Sequence, residues 1–393
     1  VRRIDLRKVQ AANPHTIRDI NRQIVLNYVR EREPISRATI ARESALQRST
    51  ISEIVEVLTG EGLVEEIGEG ESTGGRRPTL LRLRTVGAIA IGVNITPTCT
   101  TVASSDLAGV VVEQEAFPTD PRLEGTLSRI IEIVRKFSAH TSIEGIGVSI
   151  PGLVTPATGN AIFVPYFKWR DLPIGDMISQ ATGLPVTIDN DANAVGLAEL
   201  WFGRPEVRDA RDFIFVLVAD GVGTGIIFDG QVYRGMRGAA GEFGHMIVGS
   251  DAPVPCSCGN DDCWEAFASE RAAIARYNKL SGTNQAPNFA SLIDRALDGE
   301  QNAKTALTET ARYLGIGISN LVVGLSPEAV IVGGAITRAW PLIEKALTEK
   351  IERSVRRGVP SARILRSTLS GDPTLKGALS LVLARKFAGA AAA

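Results

Sequence analysis

The stretch "GEFGHMIVGSDAPVPCSCGNDDCWE", residues 241–265, gathers one of three histidines and three of four cysteines of a 393-residue chain. Imidazole and thiolate are metal donors, and thiolates are also redox nucleophiles. Four cysteines in so long a chain cannot build a disulfide framework, so clustered thiols point to metal or redox chemistry in a reducing compartment. Carboxylates stand at both ends of the cluster, Glu242 and Glu265. The elements around them must decide what these groups face.

Length and composition bound those elements. A chain of this length exceeds what one hydrophobic core serves, so two or three domains are expected. With 44% hydrophobic, 22% charged and 5% aromatic residues, the composition is that of a folded globular protein. No apolar run reaches membrane-spanning length, and the Arg-rich start lacks the apolar core of a signal peptide. A cytoplasmic protein without membrane contact is the expectation. Residues 1–84 carry 15 Lys and Arg against 12 Asp and Glu, and the rest 28 against 32. A positive balance on a small first domain suits an anionic partner.

Within 1–84, Ile17, Ile20, Ile24 and Tyr28 recur at helical spacing and predict an amphipathic helix ending before Pro34. Ser36 is a candidate N-cap for a short helix through about Glu43, with Ile40 and Ala41 inward. A turn over Ser44–Leu46 leads to a helix burying Ile51, Ile54, Val55 and Leu58 and ending at Gly60. Helix, tight turn and helix make a helix-turn-helix, whose second helix would offer Gln47, Arg48, Ser49, Thr50, Ser52 and Glu53 to a DNA groove. "GLVEEIGEG" and "RRPTLLRLR" would form a wing, with Arg76 and Arg77 entering a minor groove or clamping phosphates. The competing reading is a small helical interaction domain without nucleic acid. Arg2, Arg3, Arg7 and Lys8 fit a phosphate-touching arm and a solvated tail equally well.

After Arg84 the texture changes to strands and glycine turns. "VGAIAIGVNI", "TTVASSD", "GVVVEQEAF", "IEGIGVSIPGLV" and "LPVTIDNDANA" read as strands, and "TLSRIIEIVRKFSAH" as a helix between them. "DFIFVLVADGVGTGIIFDGQVYRG" reads as a hairpin, and "PEAVIVGGAI" as a strand entering a turn. β-Meanders followed by helices occur twice, which predicts an α/β fold of two related lobes with a cleft between them. The expected lobes are 85–195 and 196–393, the C-terminal helix being a candidate to return to the first.

The N-terminal helices followed by "GVSIPG", "IDNDANA", "GEFGH" and "CSCGNDDCWE" resemble the ROK family (repressor, open reading frame, kinase), from about residue 16 to the C-terminus. The resemblance implies a bilobal sensor of the actin, Hsp70 and sugar-kinase type, ribonuclease H-like, in a homodimer or homotetramer. The family pattern C-x-C-G-x-x-G-C-x-E is matched at Cys256, Cys258, Gly259, Cys263 and Glu265, with Asp262 in place of its second glycine. With His245, those cysteines make a Cys3His set for a structural Zn2+. The resemblance also places a sugar or sugar phosphate against Glu242, His245 and Glu265 on one side and Asn190 and Asp191 on the other. Carboxylates suit that task because each accepts hydrogen bonds from neighbouring hydroxyls. Buried or redox cysteines without metal, and Asn190 and Asp191 as mere helix caps, are the alternatives.

In the family's kinases the position of Asp191 is the base that deprotonates the sugar hydroxyl. Their first phosphate loop is D-x-G-G-T, whereas the corresponding "VNITPTCT" has Asn94 for the Asp and Thr96 and Pro97 for the glycines. Asn94 lacks the charge that holds a metal, and Pro97 has no N–H to donate. Gly221, Gly223, Gly225 and the "VGGA" at 332–335 resemble the remaining nucleotide turns, yet sharp turns explain them too. The expectation is a sugar-responsive regulator, a repressor on operator DNA, without kinase activity. A bifunctional sugar kinase with a DNA-binding domain is the alternative, and a zinc-stabilised assembly module is the third.

Overall fold

The computed structural model describes residues 14–70, 77–84, 89–139, 143–208, 210–282, 288–355, 361–369 and 371–388. The N-terminal part runs α1 (Pro14–Arg32), β1 (Ile35–Ser36), α2 (Arg37–Ser44), α3 (Arg48–Gly60), β2 (Val64–Glu69) and β3 (Thr79–Leu83). Extended Ser36 starts α2 because its hydroxyl accepts the Thr39 N–H at 3.1 Å. Ala45, at φ 58°, stops α2 and turns the chain into α3, which buries Ile51, Val55 and Leu58 along one face. β2 and β3 pair antiparallel, and the two-residue β1, which the sequence did not announce, adds to the far edge of β3. Residues 71–76 between β2 and β3, Arg76 among them, lie outside the described residues.

The face expected of α1 holds over only part of its length. Ile17 and Ile20 are 48% and 40% exposed, while Val25, Leu26 and Val29 are buried and Ile24 and Tyr28 half-buried. Periodicity shows which residues share a face but not how far the partner extends, and here the core lies only beneath the second half of the helix.

Two five-stranded sheets follow. The first comprises β4 (Ile89–Ile95), β5 (Cys99–Ser105), β6 (Val111–Pro118), β7 (Ile143–Ile150) and, after the short β8 (Leu153–Thr155), β9 (Asn160–Val164) and β10 (Trp169–Leu172), β11 (Val186–Asn190). Its helices are α4 (Leu123–Ser138) and α5 (Ile174–Thr182), and its strand order is β11-β7-β4-β5-β6. After α6 (Asp191–Phe202) and α7 (Pro205–Arg208), the second has β12 (Phe213–Val218), β13 (Val222–Phe228), β14 (Gln231–Val232), β15 (Ala329–Gly333) and β16 (Arg363–Arg366) in the order β14-β13-β12-β15-β16. Each sheet is an antiparallel meander of three strands followed by two parallel strands on the same side. The same topology occurs twice, as the repeated sequence texture predicted.

The helices α8 (Trp264–Ala268), α9 (Glu270–Ser281), α10 (Phe289–Leu297), α11 (Gln301–Leu325) and α12 (Trp340–Val355) build a separate core with the second sheet. The last helix, α13 (Pro373–Ala388), packs on β4 and β7 of the first sheet. It lies so close that a Cβ on Gly147 would stand 1.8 Å from the Ala378 carbonyl oxygen. Leu379, Val382 and Leu383 of α13 share one core with Val25, Leu26 and Val29, so the N-terminal part is packed onto the first lobe. The expected boundary at 195 falls inside α6, which is continuous from Asp191 to Phe202 and is wedged between α13 and β13. Among the described residues no helix is long and apolar enough to cross a membrane.

Candidate functional site

A cavity of about 90 Å³ lies between the lobes, lined by Gly152, Tyr166, Asn190, Asp191, Glu242, His245, Ser257 and Glu265 among others. All five side chains assigned to a sugar from the sequence therefore face one space. They come from three segments, Asn190–Asp191, Glu242–His245 and Glu265, each fixed by its own local chemistry.

Asn190 ends β11 and caps α6: its Oδ1 accepts the N–H of Ala192 at 2.9 Å and of Asn193 at 3.3 Å. Its Nδ2 donates to the Gly152 carbonyl at 3.0 Å, tying β11 to the turn after β7. The capping alternative thus holds for Asn190, which lines the cavity while serving as a cap. Asp191, at the first position of α6, accepts the Ala192 N–H at 2.8 Å. Burial raises its carboxyl to about 7, aided by the Glu242 charge and opposed by that N–H. Such a group can give or take a proton near neutrality.

Asp189, which precedes Asn190, is 2% exposed and accepts the Arg234 Nη2 at 2.7 Å and Nε at 3.0 Å, and Asn193 Nδ2 at 3.2 Å. Arg234 follows β14, so this pair ties the second lobe's Arg234–Gly241 loop to the first. The same loop presses Gly238 against the Val154 carbonyl, where a Cβ would come within 2.0 Å. Both arginine donors converge on Oδ2 while Oδ1 takes Asn193, so each oxygen of the buried carboxylate has a partner, and nothing in the spacing of "IDNDANA" distinguished Asp189 from its neighbours.

On the other wall, His245 Nδ1 lies 3.3 Å from Cys256 Sγ, and its Nε2 lies 3.5 Å from Glu242 Oε2. Cys256 and Cys258 sulfurs are 3.2 Å apart, Cys258 and Cys263 sulfurs 3.7 Å, and all four donor atoms fall within 4.8 Å of one another. Zinc bonds of ~2.3 Å to sulfur and ~2.0 Å to nitrogen in a tetrahedron require donor separations of roughly 3.5–3.8 Å. The donor set suits such an ion, which would draw the four donors to more even separations. Burial holds the Cys256 thiol above its ordinary range, so an ion entering here must displace a proton.

Glu265 opens α8 beside the third cysteine. Its Oε1 takes the Ser257 Oγ at 2.8 Å and the Ser257 N–H at 3.1 Å, with Cys256 Sγ at 3.0 Å. Arg271 stands behind it at 3.8 Å. No motif or spacing pointed to Tyr166 or Ser257: one sits in an irregular Pro165–Phe167 turn, the other between two cysteines that drew attention to themselves.

Among the glycines that resemble nucleotide turns, Gly225 and Gly333 are needed for packing. A Cβ on Gly225 would stand 2.4 Å from the Ala192 carbonyl oxygen, where α6 crosses β13. One on Gly333 would come within 2.2 Å of the Phe215 ring, and Gly334 has φ +99°. Asn94, 3% exposed, donates from Nδ2 to Thr374 Oγ1 at 2.7 Å and to Asp372 Oδ2 at 3.1 Å, at the start of α13.

In the N-terminal part, Gln47, Arg48, Ser49 and Glu53 are exposed and Thr50 and Ser52 half-exposed on α3. Arg77 is exposed at the start of the strand hairpin's second arm, 4.0 Å from Glu69. Arg76 lies outside the described residues.

A xylose repressor of Caldicellulosiruptor bescii is 34% identical over 390 residues, covering 94% of this chain and 97% of that protein. A solved ROK family transcriptional regulator, a homologue of the E. coli MLC protein, matches with a TM-score of 0.78 at 25% identity over 93% of this chain and 96% of its own. A ROK glucokinase of Streptomyces griseus, solved with glucose and AMPPNP, matches with a TM-score of 0.68 at 30% identity over 75% of this chain and 98% of its own, so the kinase pairs with only part of the chain. With two sugar-kinase-like lobes and residues 90–385 matching the family throughout, the chain belongs to the ROK family.

Proposed function

We propose that this chain is a sugar-responsive transcriptional repressor: a winged helix-turn-helix over 1–84 holds operator DNA, and the interlobe cavity binds a sugar that shifts that equilibrium. The observation that carries the sugar site is the convergence of Asp191, Glu242 and Glu265 on one cavity. Its volume of about 90 Å³ equals roughly six to nine water-sized positions at ~10–15 Å³ each, the scale of a single monosaccharide. Sugar hydroxyls donate to carboxylates, and three such acceptors around one small space select a polyol.

His245, Cys256, Cys258 and Cys263 would hold a Zn2+ ion, which would supply a structural clasp to this wall of the cavity. His245 Nδ1 is on the side of Cys256 and Nε2 on the side of Glu242. DNA contact is supported by the order of α2, tight turn, α3 and strand hairpin, with Gln47, Arg48, Ser49, Thr50, Ser52 and Arg77 on the outside. The repressor names of relatives that pair with the whole chain favour the same reading.

A bifunctional kinase is the second reading, and Asp191 favours it, since a carboxyl near 7 suits a general base. Against it stands Asn94. Phosphoryl transfer needs a charged metal holder and free phosphate donors, and Asn94 instead spends its amide on Asp372 and Thr374.

A thermal-shift screen of D-xylose, D-glucose, D-glucosamine and N-acetyl-D-glucosamine, with their phosphate esters, tests the site. At least one should raise the unfolding midpoint, because a ligand of the folded state alone stabilises it. That sugar should then show no ATP-dependent turnover with Mg2+. Midpoints unmoved across the whole panel refute the sugar site, and turnover that vanishes in Asp191→Ala establishes the kinase.

A further inference from the structure

Glu265 is a cavity carboxylate whose two oxygens have separate surroundings. Oε1 is turned toward the cysteine loop, where Ser257 reaches it twice, from the hydroxyl at 2.8 Å and the backbone N–H at 3.1 Å. Oε2 is turned to the cavity floor: a Cβ on Gly221 would stand 2.6 Å from it and 3.4 Å from the Tyr166 hydroxyl. Two polar atoms thus lie over the same glycine in the wall of the cavity.

The remaining neighbour of Oε1 is the Cys256 sulfur, at 3.0 Å. Among nitrogen and oxygen donors of the described residues, only Ser257 reaches Oε1 at hydrogen-bond distance, since Arg271 stands at 3.8 Å. Without the hydroxyl, one backbone N–H and the sulfur contact are left on Oε1, and rotation of χ angles would carry Oε2 away from Gly221.

We propose that Ser257 is a positioning residue for ligand selection: its hydroxyl fixes the Glu265 rotamer so that Oε2, with the Tyr166 hydroxyl, receives one hydroxyl of the bound sugar. The inference rests on the sugar reading above and adds that the residue between the first two cysteines tunes the site without itself being a metal ligand or a sugar contact. A serine there couples the metal loop to the ligand.

The test compares wild type, Ser257→Ala and Ser257→Thr by titration calorimetry with whichever monosaccharide of the thermal-shift panel gives the largest shift. Loss of a hydrogen bond to a charged group should weaken sugar binding by about 10-fold or more in Ser257→Ala. Ser257→Thr, which keeps the hydroxyl, should return to within about 3-fold of wild type. Zinc content by elemental analysis should match wild type in both, unlike Cys258→Ser, which removes a ligand. Wild-type affinity in Ser257→Ala overturns the inference, as does zinc loss in that variant, which would make the hydroxyl a support of the metal loop. Failure of Ser257→Thr to recover also counts against it. If wild type itself binds none of the sugars, the sugar reading falls first and this inference with it.

Discussion

At the residue scale, the two walls of the cavity differ in how they hold their carboxylates. Glu265 is kept by donors, whereas Asp191 is kept by burial, which raises its carboxyl from the ordinary 3.8 to about 7. Between those values the folded chain carries a proton that the unfolded chain has lost, so Asp191 makes stability fall as pH climbs from about 4 through 7. The slope from one such group is at most ~1.4 kcal/mol per pH unit. Urea melts at pH 5, 6, 7 and 8 should therefore show a shallower decline in Asp191→Asn than in wild type. Identical slopes would mean that Asp191 ionises as an ordinary carboxylate. The residues of both walls were legible where the chain is local: three cysteines and Glu265 within ten positions, Asn190 next to Asp191. Tyr166, Ser257 and the Asp189–Arg234 clamp were not, since each acts across segments whose approach no spacing encodes.

At the element scale, the proposed DNA binding would give α3 and the strand hairpin different work. Outward side chains near the start of α3 are suited to base edges, while Arg77 and Arg76 at the hairpin are suited to phosphates. The paired substitution Arg76→Ala and Arg77→Ala should weaken binding to every duplex and flatten the salt dependence, by about 0.9 in log–log slope for each phosphate left without its arginine. Ser49→Ala or Ser52→Ala should change which duplex is preferred and leave that slope alone. Fluorescence anisotropy over a salt series separates the two, and an unchanged slope in the arginine variant would remove the hairpin from the interface. Ser36 as cap, the Ala45 turn and the inward stripe Ile51–Val55–Leu58 could be read directly, because capping and periodicity are local rules. Ile17 and Ile20 misled, because a stripe continues in sequence even where its partner surface has ended.

At the scale of the whole molecule, α6 joins what the sequence divided. It begins at the cavity with Asp191 and ends at Trp201 and Phe202, which pack against the core of the N-terminal part. The Arg30 guanidinium lies 3.8 Å over the Trp201 ring. α13 runs beside α6 and shares the core of α1. The boundary expected at 195 missed this because a helix shared by two lobes carries no composition shift at its middle. Sugar can alter operator affinity only by binding two arrangements of these bodies differently, and the coupling must be reciprocal. Lobes tied by the Asp189–Arg234 pair, with one helix running from the cavity to the N-terminal part, give that difference a route.

Cavity carboxylates should therefore govern the response while leaving operator recognition intact. Removing one charge-assisted acceptor costs roughly 1.5–3 kcal/mol of sugar affinity, about 10- to 150-fold. The direct measurement is anisotropy on a duplex selected by the wild-type protein from a random pool, titrated with the stabilising sugar, for wild type and Glu242→Gln. Equal operator affinity without sugar, and a sugar midpoint at least about 10-fold higher in Glu242→Gln, is the predicted result. An unshifted midpoint, or operator binding that ignores sugar in the wild type, contradicts the account.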